Sequence, residues 1–198
     1  GMTRYDLLDL GTGAILHELG KLFTPKTILS KESSLSGEEW EVIRRHPWDG
    51  FQMLRKQVPL MSAHVAFQHH ERYDGSGYPR GLTDRQTLDI AKVTAVADSY
   101  NAMTSDRPYR RGLMPHQALP ILAREAGKSY NPDVVRAFIK IVAAYPLGTV
   151  VRLSDGSVAT VVGVTREICD VQIVSGPREG NHVSIHHESD IHIIERVD

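Results

Sequence analysis

The sequence has one cysteine, Cys169, so no disulfide can close within the chain. That suits a reducing interior. It has no run of about 18 apolar residues, the length that signals a membrane-spanning helix. It also lacks an excess of either charge: 23 Lys and Arg stand against 24 Asp and Glu, for a net charge of -1. Such a balance argues against wrapping a nucleic-acid polymer, while a local basic pocket for a small phosphate ligand stays open. The start, Gly1-Met2-Thr3, lacks the basic-then-apolar order of a secretory signal. Gly1 ahead of Met2 reads as a cloning remnant with the native start at Met2, and the expected compartment is the cytoplasm. Internal repeats and low-complexity stretches are absent.

What is present is ordinary in bulk: 41% hydrophobic and 24% charged residues, the balance of a globular protein. A chain of 198 residues can hold one full domain and a small second one. The first two-thirds read as helices broken by turns. Leu7, Leu8, Leu10, Ile15, Leu16 and Leu19 fall on helical spacings that end at Gly20. Ser36 and Glu39 form a capping-box pair ahead of Trp40, Val42 and Ile43, predicting a helix to about His46, where Pro47 forces a kink or a fresh start. Val58 to Gln68 and Ile90 to Met103 are further helices, the latter with Ile90, Val93, Ala97 and Tyr100 expected on its packed side. Asp74 to Gly81 is a Gly- and Pro-rich loop. Pro115 opens another helix, and Asn131-Pro132-Asp133 caps the last.

After Tyr145-Pro146 the period changes. Thr149 to Leu153, Val158 to Val164, Val171 to Val174 and Ile191 to Ile194 are short and rich in β-branched residues, with turns at Asp155-Gly156 and Gly176-Pro177. The expected class is mainly α: a helical bundle over residues 3–145, then a small antiparallel β module over 146–198.

The ten histidines matter through their placement. His17-Glu18 ends one predicted helix, with Lys21 one turn on; His46 ends another; His69-His70-Glu71 follows a third; Asp98 lies within a fourth. A bundle can aim such residues inward at one place. Taken singly, each reads as an ordinary histidine or surface acid, and His64, His116, His182 and His192 are read that way. Together, imidazole and carboxylate donors suit Fe, Mn or Zn, and two such ions would bind a phosphodiester and activate water.

Three runs carry a family resemblance. HELGK (His17 to Lys21) resembles the HDxGK motif of HD phosphohydrolases. HHERYDGSGYPRGL (His69 to Leu82) is similar to the HHExxDGxGYP signature of HD-GYP domains, and ADSYNAMTSDRPYR (Ala97 to Arg110) to their downstream segment. The similarity spans roughly residues 7 to 140. It implies an HD-type helical bundle whose metal ligands are His17, Glu18, His46, His69, His70 and Asp98, with a binuclear transition-metal centre. It implies catalytic roles for Glu18 and Lys21, and contacts to substrate from Lys21, Tyr78, Arg107 and Arg110; a guanidinium fork gives the arginines a physical reason to grip phosphate. The glycines beside Tyr78 serve either the pocket or only the turn. Glu71 and Asp74 are expected to fix the loop. The implied reaction is hydrolysis of cyclic di-GMP to linear pGpG and in some members to GMP.

Three departures bear on activity. Glu18 stands where the family has Asp, moving its oxygens by about an ångström, a scale to which catalytic geometry responds. The upstream helix that carries further ligands in many members has no counterpart before His17, and a core face left bare would favour oligomers or partner proteins. Asn101 replaces an aspartate one turn from Asp98 and is expected to face the same region. His186-His187-Glu188 repeats the HHE triplet, but in a β-rich tail, where neighbouring side chains diverge; it is read as surface or turn. Two readings follow: a cyclic di-GMP phosphodiesterase, or a signalling module that binds a cyclic dinucleotide or partner without turnover. A hydrolase for another phosphate ester is a third, against which the GYP loop argues.

Overall fold

The computed structural model describes residues 1–106, 111–142, 144–165, 168–186 and 189–197. Two compact units emerge: Gly1–Leu113 with Pro120–Phe138, and Met114–Leu119 with Ile139–Asp198. No helix among the described residues is long and apolar enough to cross a membrane.

The first unit is helical. It contains α1 (Arg4–Leu16), a 3₁₀ turn (Leu19–Phe23), α2 (Lys26–Leu29), α3 (Gly37–Arg44), α4 (His46–Leu54), α5 (Leu60–Gln68) and α6 (Asp89–Thr104). The last turns of α7 (Pro115–Glu125) and most of α8 (Pro132–Ile141) also belong to it. Local signals set the starts. Thr3 and Asp6 make a capping box for α1, and Ser36 and Glu39 make one for α3. Asn131 Oδ1 accepts from the backbone N–H of Asp133 and Val134, starting α8. Pro47 yields the fresh start: α3 stops at Arg44, and His46 opens α4 rather than closing α3, because proline lacks an N–H and is best accommodated in a first turn.

Helix α5 is the central element, packed against α1, α4 and α6. Ser62, Ala63, Val65, Ala66 and Phe67 are all buried along it. The packed side of α6 differs from expectation: Ile90, Ala91, Thr94 and Ala95 are buried and Ala97 is exposed. Helices α5 and α1 pack on α6 and set which face is covered, a factor hydropathy spacing does not weigh. Asn101 is likewise exposed, accepting from Ser105 Oγ at 3.0 Å.

In the second unit, β1 (Val150–Leu153), β2 (Val158–Val164), β3 (Cys169–Ser175), β4 (His182–Ile185) and β5 (Ile193–Arg196) form one antiparallel sheet ordered β4-β3-β2-β1-β5. Val151, Leu153, Ala159, Val161, Val171, Ile173, Ile185 and Ile191 make its core. Strand β4 is an addition to the sequence reading: only Ile185 of its four residues is fully buried, so its apolar signal is faint. His186 lies just beyond β4 and is exposed, so strand alternation is not what governs it; His187 and Glu188 lie outside the described residues.

One glycine positions the functional end of the helical unit. A Cβ on Gly20 would overlap the His46 carbonyl oxygen and press on the Gly50 backbone nitrogen. The 3₁₀ turn after His17-Glu18 therefore lies directly on the first turn of α4. Gly20→Ala should lower the unfolding midpoint, by the equivalent of about 1–3 kcal/mol for overpacking. An unchanged midpoint in denaturant would show that this contact can open freely.

Candidate metal centre

Three of the candidate histidines sit just past a helix C-terminus. There the last carbonyls lack intrahelical partners. The Nδ1–H of His17 donates to Ala14 O at 2.6 Å, that of His46 to Ile43 O at 2.7 Å, and that of His69 to Ala66 O at 2.9 Å. A carbonyl can only accept, so in each neutral ring the proton lies on Nδ1 and the lone pair on Nε2. Each ring is thereby oriented as a metal-ligating imidazole is, by a hydrogen bond behind it.

The rings converge. His17 and His69 centroids are 4.8 Å apart, His46 and His69 5.3 Å, His46 and His70 4.9 Å, and His69 and His70 4.0 Å. His46 and His69 are buried, with their Nε2 atoms 3.3 Å apart. With both protons on the far side, those two lone pairs face each other. Glu18 Oε2 lies 3.7 Å from His46 Nε2, and Asp98 Oδ1 3.5 Å from His17 Nε2. The donors fall into two groups, Glu18-His46-His69-His70 and His17-Glu18-Asp98, each with its ligand atoms within 4.8 Å of one another. Glu18 belongs to both. His17 Nε2 and Glu18 Oε2 are buried without a hydrogen-bond partner. Buried orphan acceptors and opposed lone pairs are costly unless a cation takes them, so the donor set fits metal.

Electrostatics follow the packing. Burial, followed by the charges of His17 and His46, takes His69 down to about 3. Burial also lowers His46, and drives His70 far below the ordinary imidazole range. At His17 burial pulls downward, but the Asp98 carboxylate and Ala14 carbonyl outweigh it, leaving a raised value. Asp98 is lowered in return, because the His17 contact outweighs its own burial.

Around the donors, Lys21 Nζ pairs with Glu18 Oε1 at 2.7 Å. Tyr78 stacks on His70, centroids 4.6 Å apart, and the Arg44 guanidinium lies 5.3 Å from the Tyr78 ring centre. Burial pushes the Tyr78 phenol up to about 12, so at neutral pH it keeps its proton and can donate. Glu71 accepts from the backbone N–H of Arg80 and Leu82 at 2.9 and 2.8 Å, and Asp74 from Ser76, so both carboxylates hold the loop. A Cβ on Gly77 would overlap the Arg72 backbone nitrogen, which is why this loop can lie against the chain following His70. Thus His17, Glu18, Lys21, His46, His69, His70, Tyr78 and Asp98 share one place, while Arg107 and Arg110 lie outside the described residues. Arg44 and Arg72 escaped the sequence reading; their nearness to His46 and His70 in the chain was the available signal.

The profile of the HD domain family matches residues 1–134. A solved HDG"Y"P protein from Bdellovibrio bacteriovorus shares the fold at a TM-score of 0.52 and 21% identity, over 65% of this chain and 41% of that one. The chain belongs to the HD domain family, as an HD-GYP member. A cyclic di-GMP phosphodiesterase of Pseudomonas aeruginosa is 41% identical to this HD-GYP chain over 156 residues, 78% of this chain and 37% of the relative. One of Thermotoga maritima is 40% identical over 71% of this chain and 39% of the relative. A 3'3'-cGAMP-specific phosphodiesterase of Vibrio cholerae is 32% identical over 71% and 31%. This HD-GYP chain thus spans under two-fifths of the length of these relatives.

Acid should weaken the HD-GYP fold when metal is stripped. Below a free imidazole pKa of about 6.5 the unfolded chain takes up protons that His46, His69 and His70 refuse when folded. Stability from these three therefore falls as pH drops from about 6.5 toward about 3, the value held by folded His69. His17 acts oppositely, adding stability at low pH that is lost as pH rises through its raised value. With three groups against one, the denaturation midpoint should be lower at pH 5 than at pH 7, and the difference should shrink in His70→Gln. A midpoint that rises on acidification would contradict these protonation states.

Proposed function

We propose that this HD-GYP chain carries a binuclear Fe, Mn or Zn centre and hydrolyses cyclic di-GMP, or a related cyclic dinucleotide, to its linear form and onward to GMP. The observation that carries the reading is the pair of donor groups joined by Glu18. The names of the relatives supply the substrate class. We assign the chemistry to residues 3–145 and regard 146–198 as a separate β module. The setting is cytoplasmic signalling, with partner proteins and self-association left to experiment.

When bound, the cations supply Lewis-acid polarisation of a phosphodiester and lower the pKa of bound water. The ligands are His17, Glu18, His46, His69, His70 and Asp98. The protein's own contribution is orientation: three backbone carbonyls set the imidazoles, and burial keeps His46, His69 and His70 neutral. Lys21 brings a cation to the same edge and would exchange its Glu18 contact for a phosphate oxygen. Tyr78 offers a phenolic O–H that stays protonated. Arg107 and Arg110 complete the substrate contacts by their place in the motif.

The test is metal analysis of the purified protein, then turnover of cyclic di-GMP after loading with Mn or Fe. Linear pGpG should appear. Asp98→Ala should lower kcat/KM by about 100-fold or more, and Glu18→Gln should cut metal affinity by at least about 10-fold, on the scale of losses at metal sites. A metal-loaded sample that releases no linear dinucleotide would refute the enzymatic reading. The second reading, a binding module without turnover, is favoured by the longer Glu18 side chain and its 2.7 Å pairing with Lys21. Binding by calorimetry with no product over hours would select it.

A further inference from the structure

Arg72, two residues after His70, is a cation with no counter-ion among the described residues. Lys21 is paired with Glu18 at 2.7 Å, and Arg44 approaches Glu41 at 3.6 Å. Arg72 is half-buried and makes no ion pair among the described residues. Of its five guanidinium N–H donors, the one hydrogen bond among the described residues runs from Nη1 to the Glu71 backbone carbonyl, at a long 3.4 Å. A half-buried cation left in this state is costly until an anion arrives.

Its position is rigidly built. Glu71 before it is buried and pins the loop through Arg80 and Leu82. After it, Tyr73 and Asp74 donate backbone N–H groups to Ser129 and Lys128 carbonyls, each at 3.0 Å. The guanidinium lies 5.2 Å over the Tyr130 ring centre, a cation–π seat. The Tyr130 hydroxyl donates to Ser99 Oγ at 2.6 Å, and Ser99 adjoins Asp98 in α6. The ring that seats Arg72 is thus tied to the residue beside a candidate ligand. On the other side its backbone lies against the loop that carries Tyr78: a Cβ on Gly77 would overlap the backbone nitrogen of Arg72 and the carbonyl oxygen of His70.

We propose that Arg72 binds a phosphate of the cyclic dinucleotide at the edge of the metal centre, presented there by Tyr130. The assignment rests on the functional reading above for the ligand class, but it concerns binding and stands apart from turnover. Guanidinium suits the task because two parallel N–H groups can meet two phosphate oxygens.

The test is calorimetric titration of metal-loaded protein with cyclic di-GMP and with inorganic phosphate, alongside metal content and thermal midpoint. Arg72→Ala should weaken both ligands by about 10-fold or more, the range of a charge-assisted contact, at unchanged metal content. Arg72→Lys, which keeps the charge and the stem, should fall between, since an ammonium lacks the fork. A structural role alone would lower the midpoint in Arg72→Ala and leave the affinity of the folded protein within twofold of wild type, overturning the assignment. Should Arg72→Ala not fold, Arg72→Lys with wild-type affinity for both ligands also overturns it. Affinity that depends on Arg72 without any linear product would uphold the assignment and refute the enzymatic reading. Product formation with Arg72-independent binding would do the reverse, and a wild-type protein that binds neither probe would overturn both.

Discussion

The site depends on a hydrogen bond repeated three times, from a histidine Nδ1–H to the carbonyl three residues earlier at a helix end. Ala14, Ile43 and Ala66 supply these carbonyls to His17, His46 and His69. Each bond decides where the ring proton sits, and so where the lone pair points. The three lone pairs are turned toward one another's neighbourhood, and those of the buried His46 and His69 face each other across 3.3 Å. Neutral His46 and His69 in that arrangement repel, and burial opposes relief by protonation of either. The resulting strain is what a cation relieves, so preorganisation for metal is built from backbone geometry rather than from unusual side chains.

Glu18 joins the two donor groups, and close helix packing makes its reach count. Because Gly20 has no side chain, the turn after Glu18 lies on the start of α4, bringing the carboxylate within 3.7 Å of His46. The same side chain holds Lys21, so one carboxylate faces both the buried imidazoles and an ammonium.

A second layer of fixed geometry surrounds the donors. The loop from Arg72 to Leu82 is tied by the buried Glu71 carboxylate at one end and by carbonyls of the 128–129 segment at the other. Tyr78 is thereby placed on His70, and Arg72 on Tyr130. The five-stranded sheet has its own core of eight buried residues, seven of them β-branched or leucine.

Much of this was legible in the chain. Capping pairs at Thr3-Asp6, Ser36-Glu39 and Asn131-Asp133 are local chemistry, and local chemistry starts helices wherever the rest of the fold lies. The HELGK, HHERYDGSGYP and ADSYN runs carried the family resemblance, because a motif is a matter of residue type and spacing. Side-chain direction was not legible. Asn101, one turn from Asp98, turned outward, and α6 buried Ala91, Thr94 and Ala95 in preference to Val93 and Ala97, because neighbouring helices choose the face they cover. Strand β4 escaped notice because an edge strand with one buried residue leaves little pattern. Residue types and helix starts were determined by the sequence itself. Which lone pairs meet, which carboxylate joins both donor groups and which arginine is left without an ion pair among the described residues were decided by tertiary packing, since each depends on distances between segments far apart in the chain.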